Sequence, residues 1–138
     1  MAMLGKEVRM SRLVNPKSNK MMAITVDHAT SRGIAPLTGL HHVQDTIDKI
    51  ILGRPDAMTL TKGIAEHCMW NHAGEVAMLM KISNYSPVAP TRDTVFGTVD
   101  EAIRMGADAV SMGCMTLGDF QGEQFEAIGR VSEECMRK

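Results

Sequence analysis

A chain of 138 residues is about one domain long, and 44% hydrophobic with 22% charged residues is the composition of a globular fold rather than a disordered tail. A net charge of −1 without any Lys/Arg run gives no basis for a nucleic-acid surface, and no apolar stretch approaches the roughly 20 residues of a membrane span. Cys68, Cys114 and Cys135 are odd in number and lack C-x-x-C spacing, so free thiols in a reducing cytoplasm are expected.

The opening MAMLGKEVRMSRLV is interrupted by Lys6, Glu7 and Arg9 and has no signal-peptide core. Four stretches then read as strands, each followed by a helix. MMAITVD (21–27) leads through a polar loop to HHVQDTIDKIILG (41–53), where Val43, Ile47, Ile50 and Ile51 keep helical spacing and a glycine stops the run. DAMTLTK (56–62) precedes GIAEHCMWNH (63–72). EVAMLMKIS (75–83) precedes a Pro-rich loop, NYSPVAPTRD, and a helix over 98–106 that Thr98 and Glu101 open as a capping box. ADAVSMG (107–113) precedes a final helix over 119–138, with Phe120, Phe125, Ile128 and Val131 roughly on one face. Such alternation is the pattern of parallel βαβ units in a single α/β domain.

Residues two apart on a strand share a face. Met22, Ile24 and Val26 oppose Met21, Ala23, Thr25 and Asp27; Val76, Met78, Met80 and Ile82 oppose Ala77, Leu79, Lys81 and Ser83. Each strand therefore has a bulky face and a smaller one that turns polar toward its C-terminal end, where α/β folds gather ligands. Asp27, Lys62, Lys81 and Ser83 all fall there. Asp27 and His28 read either as a strand end meeting water or as an acid/base station. A lysine inside VAMLMKIS requires a polar cavity or a carboxylate partner. Lys62, beside Gly63, is a solvated end or a substrate contact.

Other features are plainer. His67 and His72 are five apart and do not share a helix face as a zinc pair would. His41 and His42 read as surface residues. Of the thirteen methionines, Met22, Met58, Met78, Met80 and Met112 follow strand periodicity, and core filling is the reading they favour. No phosphate-cradling glycine loop or nucleophile elbow is present.

GKEVRMSRLVNPKSNKMMAITVDHATSRG, the GL at 39–40, DAMTLTKGIAEH (56–67) and TVDEAIRMGADAVSM (98–112), in that order, resemble the archaeal-type class I fructose-bisphosphate aldolases, aminodideoxyheptulosonate synthase and the autoinducer-2 thiolase. The resemblance runs from about Gly5 to the end. It implies a (β/α)₈ barrel carrying out aldol-type lyase chemistry on phosphorylated sugars through a lysine Schiff base, with no metal or cofactor. Asp27 matches the catalytic Asp of the family's DHG motif, which reads DHA here because Ala29 replaces the glycine. The family's Schiff-base lysine belongs to the sixth strand, its tyrosine follows the fifth, and its phosphate site follows the seventh and eighth. Since the barrel takes about 250 residues, the expectation is the N-terminal half: one partial domain, 1–138, of about four βα units, without that lysine and inactive alone. Asp27 and His28 would be catalytic, and Lys62, Lys81 and Ser83 would contact substrate. A small flavodoxin-like α/β binding module without catalysis fits the length as well. Open strand edges in a half barrel also lead us to expect a homo-oligomer.

Overall fold

The computed structural model describes residues 3–28 and 38–138. Ala29 and the polar loop that follows it lie outside the described residues. In chain order the elements are α1 (Leu4–Leu13), β1 (Ala23–Thr25), α2 (Val43–Leu52), β2 (Ala57–Thr61), α3 (Lys62–Cys68), β3 (Ala77–Lys81), β4 (Ser83–Ser86), β5 (Ala89–Val95), α4 (Val99–Arg104), β6 (Ala109–Ser111) and α5 (Gln121–Met136). Single 3₁₀ turns occur at Thr38–Leu40 and Trp70–His72. All four strands expected from periodicity form, each shorter than its apolar run.

These strands make one parallel sheet in the order β1-β2-β3-β6. Each new strand joins the last, with no switch of direction. A flavodoxin-like domain places its second strand outside its first and puts helices on both sides. Here the order is sequential and α2 to α5 all pack on one face, which removes the flavodoxin-like alternative.

Strand alternation explains the layering. Val26, Met58, Leu60, Met80 and Ile82 point to the helices and form the main core with Ile47, Ala65, Cys68, Met69, Ala102 and Ala107. The five strand-side members are nearly or completely shut off from water. The opposite, inner face is built in rows fixed by pairing: Ala23, Ala57, Ala77; then Thr25, Thr59, Leu79, Ala109; then Thr61, Lys81, Ser111. Small residues at the bottom leave room for Leu13, which is buried against Ala57 and Ala77 and ringed by Val14, Ala23, Leu79 and Ala109. The N-terminal helix therefore plugs the inner face at the start of the strands. The sequence reading assigned it no element. Only Leu13 of α1 is buried, so no apolar stripe marks it.

Two aspartates hold the strand starts. Asp56, just before β2, accepts from the Met22 N–H at 2.7 Å and returns its own N–H to the Met22 carbonyl at 3.0 Å. Asp108, just before β6, does the same to Met78, at 3.2 and 2.9 Å, and also pairs with Arg12 of α1 at 3.1 Å.

The Pro-rich stretch read as a loop is an antiparallel hairpin, β4 with β5. Its prolines are compatible with strands because a two-stranded ribbon leaves half its N–H groups without a ladder partner. Gln124 of α5 ties this hairpin down, donating to the Thr91 carbonyl at 2.9 Å and accepting from the Met115 N–H at 2.6 Å. Thr98 caps α4 as expected, accepting from the Glu101 N–H at 3.1 Å.

Candidate active site at the C-terminal ends of the strands

Asp27 lies two residues beyond Thr25, and alternation carries it to the inner face while Val26 goes into the helical core. The Val26 N–H still bonds the Thr59 carbonyl at 3.0 Å, so the ladder holds the chain up to the point where Asp27 leaves it. The chain then turns at His28. Strand neighbours point apart, but the turn breaks that rule and brings the His28 Nδ1 to 3.6 Å from an Asp27 carboxylate oxygen. The Asp27 side chain is 14% exposed and that of His28 39%. Asn84, on the hairpin, donates to the Asp27 backbone carbonyl at 3.5 Å.

The other expected site residues separate into three environments. Lys81 lies in the upper inner row between Thr61 and Ser111, half-buried, on the same face as Asp27. Its ammonium has no hydrogen-bond or ion-pair partner among the described residues. Ser83 belongs to the hairpin and is fully buried; its Oγ accepts from the Gly113 N–H at 2.9 Å and joins the end of β3 to the end of β6. Lys62 opens α3 and points into the helical layer, where its Nζ pairs with Glu101 at 3.0 Å. That bond is the main cause of a Glu101 carboxyl held below the usual carboxylate range, with the Thr98 backbone N–H adding to it. Asp27, His28 and Lys81 thus share one mouth, Ser83 braces it, and Lys62 is engaged outside it.

Asp93 is a residue the sequence reading passed over. It lies on β5 opposite Tyr85, is buried, and packs its carboxylate against Gly113 so closely that a Cβ there would collide with it. One of its oxygens has no hydrogen-bond partner among the described residues. The TRD tripeptide gave no sign of this, because it looked like loop.

One shallow cavity of about 480 Å³ lies at the other end of the sheet, lined by Ile51, Leu52, Arg54, Pro55, Glu75 and Val76. Another lies on the outer surface between α4 and α5. Nor does any group of three His, Cys, Asp or Glu side chains among the described residues converge as a metal site would. A partly shielded carboxylate beside an imidazole, with an ammonium on the same face, is a set able to move protons on an anionic substrate.

Comparison with known proteins agrees with this geometry. The family model described as DeoC/LacD family aldolase matches residues 21–138. The 2-amino-3,7-dideoxy-D-threo-hept-6-ulosonate synthase 1 of Archaeoglobus fulgidus is 29% identical over 135 residues, which are 96% of this chain and 50% of that protein. The 3-hydroxy-5-phosphonooxypentane-2,4-dione thiolase of Escherichia coli is 23% identical, over 96% of this chain and 45% of its own length. Among solved structures, an archaeal fructose-1,6-bisphosphate aldolase with its catalytic lysine bound to the carbinolamine intermediate superposes with a TM-score of 0.79 at 20% identity, covering 96% of this chain and 53% of that one. The chain spans about half the length of the curated relatives it matches, and its four βα units are half of a (β/α)₈ barrel.

Proposed function

Because the chain belongs to the DeoC/LacD aldolase family, we propose that it is the first half of a Schiff-base lyase for phosphorylated sugars or ketoses, supplying the proton-transfer station of the barrel mouth. The observation that carries this reading is the Asp27 carboxylate, set on the inner face at the end of β1 and faced by the His28 imidazole at 3.6 Å.

In the intact barrel a lysine amine from the second half condenses with the substrate carbonyl and loses water, and the resulting iminium accepts the electron pair when the carbon–carbon bond breaks. Asp27 takes the proton from the hydroxyl of the carbon that leaves as a carbonyl and returns one to the enamine carbon. His28 keeps that carboxylate oriented. Lys81 presents a cation on the same face to an anionic substrate, and Ser83 ties the neighbouring strand ends together through the Gly113 N–H. The three unpaired cysteines suit a reducing cytoplasm, and no described helix is long and apolar enough to cross a membrane.

Borohydride reduction in the presence of dihydroxyacetone phosphate tests the assignment. The chain alone is expected to take up no stoichiometric adduct, while its complex with the second half of a family relative is expected to be trapped on that half. A stoichiometric adduct on Lys62 or Lys81 would make that lysine the nucleophile and overturn the reading.

A further inference from the structure

Buried polar atoms in folded proteins are nearly always hydrogen-bonded, and one that is not calls for an explanation. Among the described residues the sole such side-chain atom is Oδ1 of Asp93, in a residue only 9% exposed. The cation next to it in sequence does not answer it. Arg92 is engaged by Glu123 at 3.2 Å and by the Phe120 ring, 4.7 Å from its centroid.

Two alternations fix where this carboxylate lies. On the hairpin Asp93 is opposite Tyr85 and Val95 is opposite Ser83, which puts all four side chains on one face. Ser83 Oγ accepts from the Gly113 N–H at 2.9 Å, so that face is turned to the end of β6. Beyond β6, Met112 packs against the helical core, and Gly113 therefore continues the side of Ala109 and Ser111, the inner face. A Cβ on Gly113 would collide with Asp93 Oδ2. The carboxylate thus fills the room of the side chain that position 113 lacks, one step above Ser111 at the mouth. Gln124 holds it there, because its bonds to the Thr91 carbonyl and the Met115 N–H tie the hairpin to the loop after β6.

We propose that Asp93 is a specificity residue of the mouth: its carboxylate accepts a hydrogen bond from a hydroxyl on the substrate's carbon chain and turns away a second phosphate. The proposal rests on the aldolase reading and deepens it. A hydroxyl donates to a carboxylate, whereas a phosphate brings only acceptor oxygens and negative charge. Beside a buried carboxylate that repulsion is little screened by salt. Lys81, on the same inner face beside Ser111, carries the opposite charge and suits the anionic group. Two side chains of opposite sign, borne by β3 and by the hairpin that follows it, thereby sort the two ends of one molecule. The substrate class selected is a ketose with one phosphate rather than two.

The test uses the barrel completed by the second half of a family relative, with fructose 1-phosphate and fructose 1,6-bisphosphate as the paired probes. Asp93→Asn keeps the shape and removes the charge. It is expected to shift the ratio of the two kcat/KM values toward the bisphosphate by about tenfold or more, the scale of one hydrogen bond to a charged group, and chiefly through KM. Gly113→Ala keeps the charge but forces the carboxylate aside, and is expected to raise KM for fructose 1-phosphate without the gain for the bisphosphate. The second half is the same in every comparison, so it cannot produce these changes. An unmoved ratio, an equal loss for both probes, or a lowered Tm with the wild-type ratio in the folded fraction would make Asp93 a strut of the hairpin and overturn the proposal. Borohydride trapping of the wild-type barrel with dihydroxyacetone phosphate reads the aldolase assignment separately. An adduct with an unmoved ratio sinks this proposal alone, and the absence of any adduct sinks both.

Discussion

The two ends of the parallel sheet are built on opposite principles. At the N-terminal ends of the strands polar groups are matched: Asp56 and Asp108 each hold a neighbouring strand, Arg12 meets Asp108, and Leu13 fills the space between the alanines. At the C-terminal ends, among the described residues, Lys81 has no hydrogen-bond or ion-pair partner and Asp93 keeps an unsatisfied buried oxygen, while Asp27 sits 3.6 Å from the His28 imidazole. Satisfied groups stabilise, and a cation left without a partner is able to engage an anionic ligand. The contrast is the usual division of labour in this architecture, with stability at one face and chemistry at the other.

Substitution at the two ends should therefore give opposite phenotypes. The largest effect is expected at the mouth. In an intact barrel containing this half, Asp27→Asn should lower kcat by about 10²–10⁴ with Tm nearly unchanged, measured by steady-state kinetics and thermal melts. Near-normal turnover would return Asp27 to the role of an ordinary strand end. At the bottom, Leu13→Ala should cost about 2–5 kcal/mol of stability by opening a cavity under the alanine row, read by urea titration, while leaving the mouth's chemistry intact in whatever fraction folds.

A smaller effect sharpens the comparison through pH. His72 lies near the bottom with Nε2 at 2.7 Å from Asp48 and Nδ1 at 3.3 Å from Glu75. Bonding to Asp48, aided by Glu75, raises its pKa above the ordinary histidine value. The same contact is the main reason the Asp48 carboxyl is held low. A raised folded-state value means the imidazolium's contribution is fully present below about pH 6.5, its ordinary value, and is lost as pH rises through the folded one. The Tm of the wild type should fall over that window by an amount worth less than about 1 kcal/mol, and His72→Gln should flatten the profile.

Much of this architecture was legible because periodicity reports which face is buried. Met58, Leu60, Met80 and Ile82 alternate with Thr59, Thr61, Lys81 and Ser83, and that alternation put the helices on one side and Asp27 with Lys81 on the other. The Thr98 cap was readable because it depends on three adjacent positions. What stayed hidden depends on distant partners. Lys62 finds Glu101 thirty-nine residues away, Ser83 finds Gly113 thirty away, and neither pairing leaves a local trace. Pro87 and Pro90 pointed to a loop because proline is excluded from central strands, yet the hairpin lies outside the main sheet. His28 was named beside Asp27 from the family motif, but the approach of its ring was not readable from the strand, because alternation points neighbours apart and only the turn brings it back.

The paired bonds that Asp56 makes to Met22 and Asp108 to Met78 have a consequence at the far end of the molecule. A parallel ladder has evenly spaced bonds, so nothing in the ladder itself prevents one strand from sliding past its neighbour. Sliding by a single residue would exchange the two faces: Val26 would turn inward and Asp27 would be driven among the helices. Each aspartate grips both the N–H and the carbonyl of one particular residue and so fixes the alignment of two strands at their first positions. Which side chains reach the mouth is thereby set from the opposite end of the sheet, by carboxylates that never approach a substrate.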